Sequence, residues 1–337
     1  MSKILITGGA GFVGFSVAQR LVSEGQDVTI LDNKKDGKNE LNWMMAEQYG
    51  IKRIHGSINH LPLWDDLDGD IDTVVHCAGQ TAVTKSLEDP FHDFITNAEG
   101  TFNVCEFARK HDAKIIFTST NKVYGDNVNK ISLKEEKTRY RYDREKYCID
   151  ELFPIDHTSH SPYGTSKLTA DLYVQEYHHT YGLDTVVFRM SCIYGSNQIG
   201  SEDQGWIAHM VHQWVNGERI NIFGNGKQVR DVLHIDDLVH LFLQVVKRNV
   251  SGVFNIGGGL RNTISILELI DMLDEWKPHD RNMLFWYPWR LADQKVYISN
   301  TSKARKILGF YPEISPQRGI RGLFNKEILI GDSVRIG

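Results

Sequence analysis

The run Lys3-Ile4-Leu5-Ile6-Thr7, followed at once by Gly8-Gly9-Ala10-Gly11-Phe12-Val13-Gly14, constrains this chain more than any other stretch. A short apolar run that stops at glycine reads as a buried strand ending in a tight turn. From Phe12 the apolar spacing becomes helical until about Gly25, and Val28 to Leu31 is a second strand closed by Asp32. Strand, glycine turn, helix and strand make one βαβ unit. The glycines at positions 8, 11 and 14 have separate duties in such a unit. The first permits the turn, the second lets a pyrophosphate approach the backbone, and the third lets the helix lie against the strand. A lone glycine pattern is a weak signal. Here it follows a strand, opens a helix, and an acidic residue ends the next strand. Asp32 is placed to accept hydrogen bonds from adenosine ribose hydroxyls and to repel a 2′-phosphate, which favours NAD over NADP. Lys34 and Lys35 run against that preference, although a solvated loop explains them more simply.

Strand and helix patterns then keep alternating. Ile51 to His55 and Asp72 to Cys77 read as strands, the latter running into Ala78-Gly79-Gln80. A long helix is expected from about Pro90 to His111, with Phe94, Ala98, Phe102, Cys105 and Ala108 on related faces. Ala113 to Phe117 and Asp184 to Phe188 are further strands. Such alternation predicts an α/β fold with a doubly wound parallel sheet, whose ligands bind beyond the carboxyl ends of the strands. Gly8, Ala78-Gly79-Gln80, Thr118-Ser119-Thr120 and Arg189-Met190-Ser191 therefore surround one crevice. The charged, irregular stretch from Asp126 to His160 is either a solvated or a substrate-covering loop. Beyond residue 190 the pattern loosens into shorter elements. Residues 1–190 are expected to form the dinucleotide-binding domain, with part of 228–256 returning to it, and 191–337 mainly a smaller, interleaved substrate lobe.

A formal net charge of −5 over 337 residues offers nothing to nucleic acid or an anionic membrane surface. No apolar run is long enough to span a membrane, and Met1-Ser2-Lys3 leads directly into a strand, so a cytoplasmic enzyme is expected. The four cysteines are far apart and lack metal-ligand spacing. Among the fourteen histidines, His178-His179 and His209 with His212 read as helix-surface residues, and no metal site is expected.

A second stretch carries chemistry. Ser161-Pro162-Tyr163-Gly164-Thr165-Ser166-Lys167 continues through Leu168, Ala170, Leu172 and Tyr173 at roughly helical spacing. Pro162, with fixed φ and no N–H, fits a first helical turn. Tyr163 and Lys167 then share one helix face. A phenol with a reference pKa of about 10 is a poor base at pH 7 until a cation stabilises its phenolate. A lysine one turn away could do that, as could the positive ring of an oxidised nicotinamide. Alone, the spacing is equally that of an amphipathic helix with an exposed lysine.

Three motifs now stand in order: Thr7 to Gly14, Thr118-Ser119-Thr120-Asn121-Lys122-Val123-Tyr124-Gly125 at the end of the fifth strand, and Tyr163 with Lys167 about 40 residues later. Together they resemble the extended short-chain dehydrogenase/reductase family, whose members act on nucleotide sugars, over nearly the whole chain. The resemblance implies bound NAD, held around Gly8, Gly11, Phe12, Val13, Gly14, Asp32 and Asn33. Further cofactor contacts are implied for Ser57, Ile58, Ala78, Gly79, Gln80, Asn97, Thr118, Tyr163, Lys167 and Arg189. The family usually has Asp where Ser57 stands, bonding the adenine amino group, so this contact is expected to be weaker or made through water. Asn97 either steadies the cofactor or is structural. Tyr163, as phenolate, would take a sugar hydroxyl proton while hydride passes to NAD⁺. Lys167 would lower its pKa and hold the nicotinamide ribose, and Thr120 would hydrogen-bond the reacting oxygen. Implied substrate contacts are Gln80, Thr120, Asn121, Lys122, Ser191, Gln204 and Arg230, the last resembling an arginine that meets the nucleotide diphosphate. For Gln204 a plain loop role competes, and for Arg230 an exposed salt bridge to Asp231.

The residues after Thr120 narrow the chemistry. Family 4,6-dehydratases carry Asp-Glu there, and Asn121-Lys122 cannot supply paired carboxylates for water elimination. Ala78-Gly79-Gln80, His160-Ser161-Pro162-Tyr163-Gly164, Asp203-Gln204-Gly205-Trp206, Gly224 to His234 and Ala292 to Tyr297 most resemble 2-epimerases of CDP-linked deoxyhexoses (the CDP-paratose/CDP-tyvelose type). That implies a redox-neutral inversion at carbon 2 through a transient keto sugar. A nucleotide-sugar 4-epimerase is the alternative. A decarboxylase gripping a uronate with Arg141, Arg144 and Lys122, a net reductase and a non-catalytic NAD sensor rank below it. The helices from about Pro90 and from Tyr163 could pair with a second subunit in a homodimer or larger assembly. Phe94, Phe102, Leu168 and Leu172 would face that subunit or the sheet. The tail after about Lys326 matches no part of the resemblance.

Overall fold

In strand β1 (Lys3–Thr7) Ile4, Leu5, Ile6 and Thr7 are all buried. A strand with no polar face is stable only between other strands, with helices covering both sides. That is its setting in the computed structural model, which describes every residue except Met1, Asp36, Lys38, Asp68, Gly69 and Gly337, and describes no side chains beyond Ile330. β2 (Asp27–Asp32), β3 (Lys52–His55), β4 (Thr73–His76) and β5 (Lys114–Thr120) come next, separated by helices. A short antiparallel hairpin, β6 (Leu133–Glu135) and β7 (Tyr140–Tyr142), precedes β8 (Thr185–Met190). β9 (Cys192–Tyr194), β10 (Ile220–Phe223) and β11 (Val229–His234) come before β12 (Gly252–Ile256). The main sheet has the order β12-β8-β5-β4-β1-β2-β3, with parallel pairing from β8 to β3. Thr7 is in register with both Leu31 and His76, so the strand ends that carry Gly8, Asp32 and Cys77 are level.

The helix Phe12–Ser23 and the helix Ser161–Tyr181 are as expected, the latter with Pro162 in its first turn and Gly182 in the left-handed region (φ 70°) at its end. The Pro90–His111 stretch differs. It is α-helical at Pro90–Phe94, widens to a π-turn at Ile95–Glu99, and resumes as α-helix at Gly100–His111. One extra residue in a turn rotates the remainder of the helix about its axis, so the expected common face breaks. Ala98, Cys105 and Ala108 are buried, whereas Phe94 and Phe102 are exposed. Cys105, Phe107 and Ala108 join Val174 and Tyr177 of the later helix and Ile115 and Phe117 of β5 in one apolar core.

The chain divides into two compact units, which change over at residue 190 as the sequence suggested but differ from it over 124–159. The first runs to Val123 and takes in His160–Met190 and Leu238–Phe254. The second holds Tyr124–Ser159, Ser191–Asp237 and the chain from Asn255 onward. Thus the stretch expected to be an irregular appendage of the first domain belongs to the second unit. Tyr140 and Tyr142 of its hairpin are buried, the Tyr140 N–H donates to the Lys227 carbonyl at 2.8 Å, and Arg139 is ion-paired with Glu268. The segment returning to the first unit is Leu238–Phe254, which lies within the expected 228–256, while β11 stays in the second. The unassigned tail continues a helix, Pro316–Ile336. Among the described residues no helix is long and apolar enough to cross a membrane.

Candidate active site

The glycine turn has no room for side chains where the motif puts glycine. Gly8 has φ +66°, and a Cβ on it would lie 2.6 Å from the Ala78 nitrogen. A Cβ on Gly14 would lie 2.3 Å from the Gly8 carbonyl oxygen. Gly11 is different, because its Cβ would approach only that same oxygen, at 3.1 Å. The helix beginning at Phe12 has no side-chain cap and no acidic residue in its first turn, so its backbone donors suit an anion. Asp32 is buried and already oriented: its carboxylate accepts from the Ala10 N–H at 3.0 Å and the Lys34 N–H at 2.8 Å. Asn42 donates to the Ala10 carbonyl at 3.0 Å and holds the turn from its other side. A pyrophosphate cradle beside a fixed carboxylate fits NAD. Lys34 is ion-paired with Glu40 and Lys35 contacts His92.

Ser57 is turned to Asn59, whose N–H it accepts at 3.3 Å, and the Ile58 carbonyl accepts from Trp64 at 2.9 Å and Asn103 at 3.1 Å. Asn33 is exposed, its side-chain oxygen accepting from the Lys35 N–H at 3.1 Å. Asn97 lies in the π-turn, a feature that often marks functional sites. It accepts from the Gln80 N–H at 2.9 Å and donates to the Gln80 carbonyl at 3.1 Å, locking the loop after β4. A Cβ on Gly79 would lie 2.8 Å from the Asn97 oxygen. The Gln80 side chain folds back instead of projecting from the loop. It donates to the Ala82 carbonyl at 2.8 Å and to Asp93 at 2.7 Å, which stabilises the loop.

Thr120, Tyr163 and Lys167 come together. Strand β5 ends at Thr120, whose hydroxyl lies beside the Tyr163 phenol and donates to the Asn121 side-chain oxygen at 3.3 Å. Burial pushes that phenol up to about 12, Asp93 adds to the shift, and the Thr120 hydrogen bond opposes it. Lys167 donates to the Thr118 carbonyl at 2.8 Å and lies 4.2 Å above the Phe117 ring. Burial lowers its ammonium to about 8, against the pull of Cys77, Asp171 and Asp93. The Tyr163 backbone N–H, at the uncapped start of its helix, donates to Ser86 at 3.1 Å. Asn121 is buried beside Thr120, and the Lys122 N–H donates to the Thr120 hydroxyl at 3.3 Å.

Arg189 is placed otherwise than expected. Its guanidinium is buried and bonds Asp171 in bidentate fashion, at 3.0 and 2.9 Å. Ser119 and Gln175 donate to the same carboxylate, each at 2.6 Å. This fork joins β8 to the Tyr163 helix. In the second unit Ser191 donates to Asp231 at 2.5 Å, and Gln204 is exposed in a bridge with Ser201. Arg230 pairs with Asp293 at 2.6 Å, not with Asp231, which is fully buried and bonded to Ser191 and the Gly259 N–H. Arg141 is ion-paired with Glu136.

Residues that no motif flagged complete the site: Ser86, Asp93, Ser166 and Asp171. Two of them were within reach of helical spacing, since Asp93 precedes Asn97 by one turn and Asp171 lies one turn beyond Lys167.

With this geometry in view, residues 4–257 match the NAD dependent epimerase/dehydratase family. The chain belongs to that family. It is an NAD-dependent enzyme of the nucleotide-sugar epimerase/dehydratase type. CDP-paratose 2-epimerase of Salmonella typhi is 36% identical to this family member, covering 96% of the chain and 98% of the relative. A putative UDP-glucose 4-epimerase of Methanocaldococcus jannaschii is 30% identical, covering 96% and 97%. The crystal structure of UDP-glucose 4-epimerase from Thermotoga maritima with UDP-glucose superposes with a TM-score of 0.83 at 29% identity, covering 97% of this chain and 99% of that one.

Proposed function

We propose that this enzyme is a nucleotide-sugar epimerase that inverts carbon 2 of a CDP-linked deoxyhexose. The observation that carries the chemistry is the buried Tyr163 phenol beside the Thr120 hydroxyl, one helical turn from an anchored Lys167. Bound NAD⁺ supplies a hydride acceptor and a positive ring. Tyr163 then serves as base and later as acid at one sugar oxygen, Thr120 orients that oxygen, and Lys167 holds its charge at a fixed place beside them. Asn121, where a dehydratase needs an acid, leaves no group to protonate a departing hydroxyl. Gly8 to Gly14 and Asp32 would hold the cofactor. Similarity to the CDP-paratose 2-epimerase supports the choice of base and carbon.

A 4-epimerase is the second reading, favoured by the likeness to the Thermotoga enzyme. Incubation with CDP-, UDP-, dTDP- and GDP-linked sugars in deuterium oxide, then NMR, separates the two. Inversion at carbon 2 of a CDP-sugar without solvent deuterium at that carbon is expected. Inversion at carbon 4 would replace the first reading, and deuterium uptake at the inverted carbon would replace hydride transfer with carbanion chemistry. Tyr163→Phe should retain NAD and lose turnover by at least about a hundredfold.

The enzyme acts, in this proposal, as a homodimer. Phe91, Phe94 and Phe102 on one helical stretch and Leu172 and Tyr173 on the other are 40–74% exposed in the single chain, a costly arrangement unless covered. Sedimentation at the monomer mass at working concentration would remove this part.

A further inference from the structure

We infer that Asp93 is a positioning residue of the active site, a buried carboxylate that ties the loop after β4 and the π-turn to the catalytic helix and acts on the acidity of Tyr163. This rests on the reading of Tyr163 and Lys167 as the proton-transfer pair. Asp93 is 1% exposed, and donors from three elements converge on it. Gln80 of the loop donates at 2.7 Å, Asn97 of the π-turn at 3.1 Å, and Ser166 of the catalytic helix donates its hydroxyl. The bonds run in one direction. Asn97 also donates to the Ser166 hydroxyl at 3.0 Å, so Ser166 accepts from Asn97 and donates to Asp93. A carboxylate that accepts from these donors satisfies this pattern, and the Ser166 and Gln80 hydrogen bonds oppose the upward push of burial on its pKa.

Ser166 precedes Lys167, and its hydroxyl oxygen lies 3.1 Å from the Tyr163 carbonyl oxygen, so the carboxylate is fastened to the backbone turn that carries both catalytic groups. The titratable groups facing Asp93 are Tyr163 and Lys167 from that helix and His92 from its own. Lys167 faces Cys77, His76 and Asp171 as well. A negative charge here disfavours the Tyr163 phenolate and favours the Lys167 ammonium. It therefore holds the tyrosine protonated until a cation arrives beside it, while keeping the lysine charged. Neither Gln80 nor Asn97 needs substrate contact for this, which accounts for a glutamine whose amide is turned inward.

The test uses NAD-loaded protein carrying ¹³Cζ-labelled tyrosine, with the Tyr163 signal assigned by loss in Tyr163→Phe. It needs no substrate, so an error in the substrate assignment would not affect it. In Asp93→Asn the Tyr163 midpoint should fall by roughly half a pH unit or more, and Asp93→Glu should keep it near the wild-type value. A folded Asp93→Asn protein with an unchanged midpoint would overturn the inference, since a purely structural residue leaves the midpoint in place. If the asparagine variant does not fold, the wild type answers. Its Tyr163 signal should show a second, smaller inflection at acid pH, coincident with the titration of the Asp93 carboxyl carbon, and its absence would also overturn the inference.

Discussion

The Lys167 ammonium lies 2.8 Å from the Thr118 carbonyl oxygen, so a flexible four-carbon stem delivers its charge to one fixed point at the end of β5. The Thr118 hydroxyl donates to the His76 carbonyl at 3.0 Å, which ties that point to β4. Placing a cation in this buried setting costs stability, and the cost has a pH signature.

Burial lowers Lys167 from 10.5 to about 8. Between these values the unfolded chain holds a proton that the folded chain has lost, so folding becomes easier as pH rises through that window. Below about pH 8 the full penalty is present. Lys167→Met removes the titration, and the stability of wild type relative to this variant should improve by about 1–3 kcal/mol between pH 7 and pH 10. Urea unfolding at both values measures it; a difference that stays constant, or moves the other way, contradicts the assigned shift.

Arg189 and Asp171 make the opposite kind of prediction. Removing one member of a buried, hydrogen-bonded ion pair leaves the other charge without compensation, at a cost of about 3–5 kcal/mol. Arg189→Met should lower stability by that amount in denaturant titrations. NAD affinity of the folded fraction should change little. A variant of normal stability with weakened NAD binding would restore Arg189 as a cofactor residue.

The glycine turn separates packing from ligand approach. Gly14→Ala sets a methyl against the Gly8 carbonyl and should destabilise the fold by about 1–3 kcal/mol. Gly11→Ala meets that oxygen at 3.1 Å and should fold with a near-normal melting temperature while losing NAD affinity tenfold or more, by roughly 1.4 kcal/mol. Thermal unfolding with and without NAD distinguishes the two losses, and equal behaviour of both variants would refute the separation.

Arg230 is only partly buried beside Asp293, so its guanidinium retains donors for a diphosphate. Arg230→Leu should raise KM for the nucleotide sugar about tenfold or more, with a smaller effect on kcat. If KM is unchanged and only stability drops, the Asp293 pair is the whole of its function.

Several elements could be read directly. The parallel sheet, the helices beginning at Phe12 and Ser161, and the meeting of Thr120, Tyr163 and Lys167 come from apolar spacing and from motifs that occupy strand ends. Misplacements have common causes. The π-turn at Ile95–Glu99 adds a residue to a turn without any change in hydrophobic pattern, so Phe94 before it and Cys105 after it do not keep the expected common face. The 126–160 stretch read as a solvated or substrate-covering loop because its anchors, Lys227 and Glu268, lie about 90 to 130 residues further on.

Sequence by itself determined what depends on neighbours within a turn or a strand: that Gly8 must accept positive φ, that Pro162 opens a helix, that Tyr163 and Lys167 share its face. These are constraints of backbone sterics and helical period, and they hold wherever the segment lies. Tertiary structure alone decided which charges are compensated. Arg189 meets Asp171 across 18 residues, Arg230 meets Asp293 across 63, and Ser166 reaches Asp93 across 73. A buried ionisable group takes its role from whatever donors and charges surround it in space, and no local pattern in the chain encodes those partners.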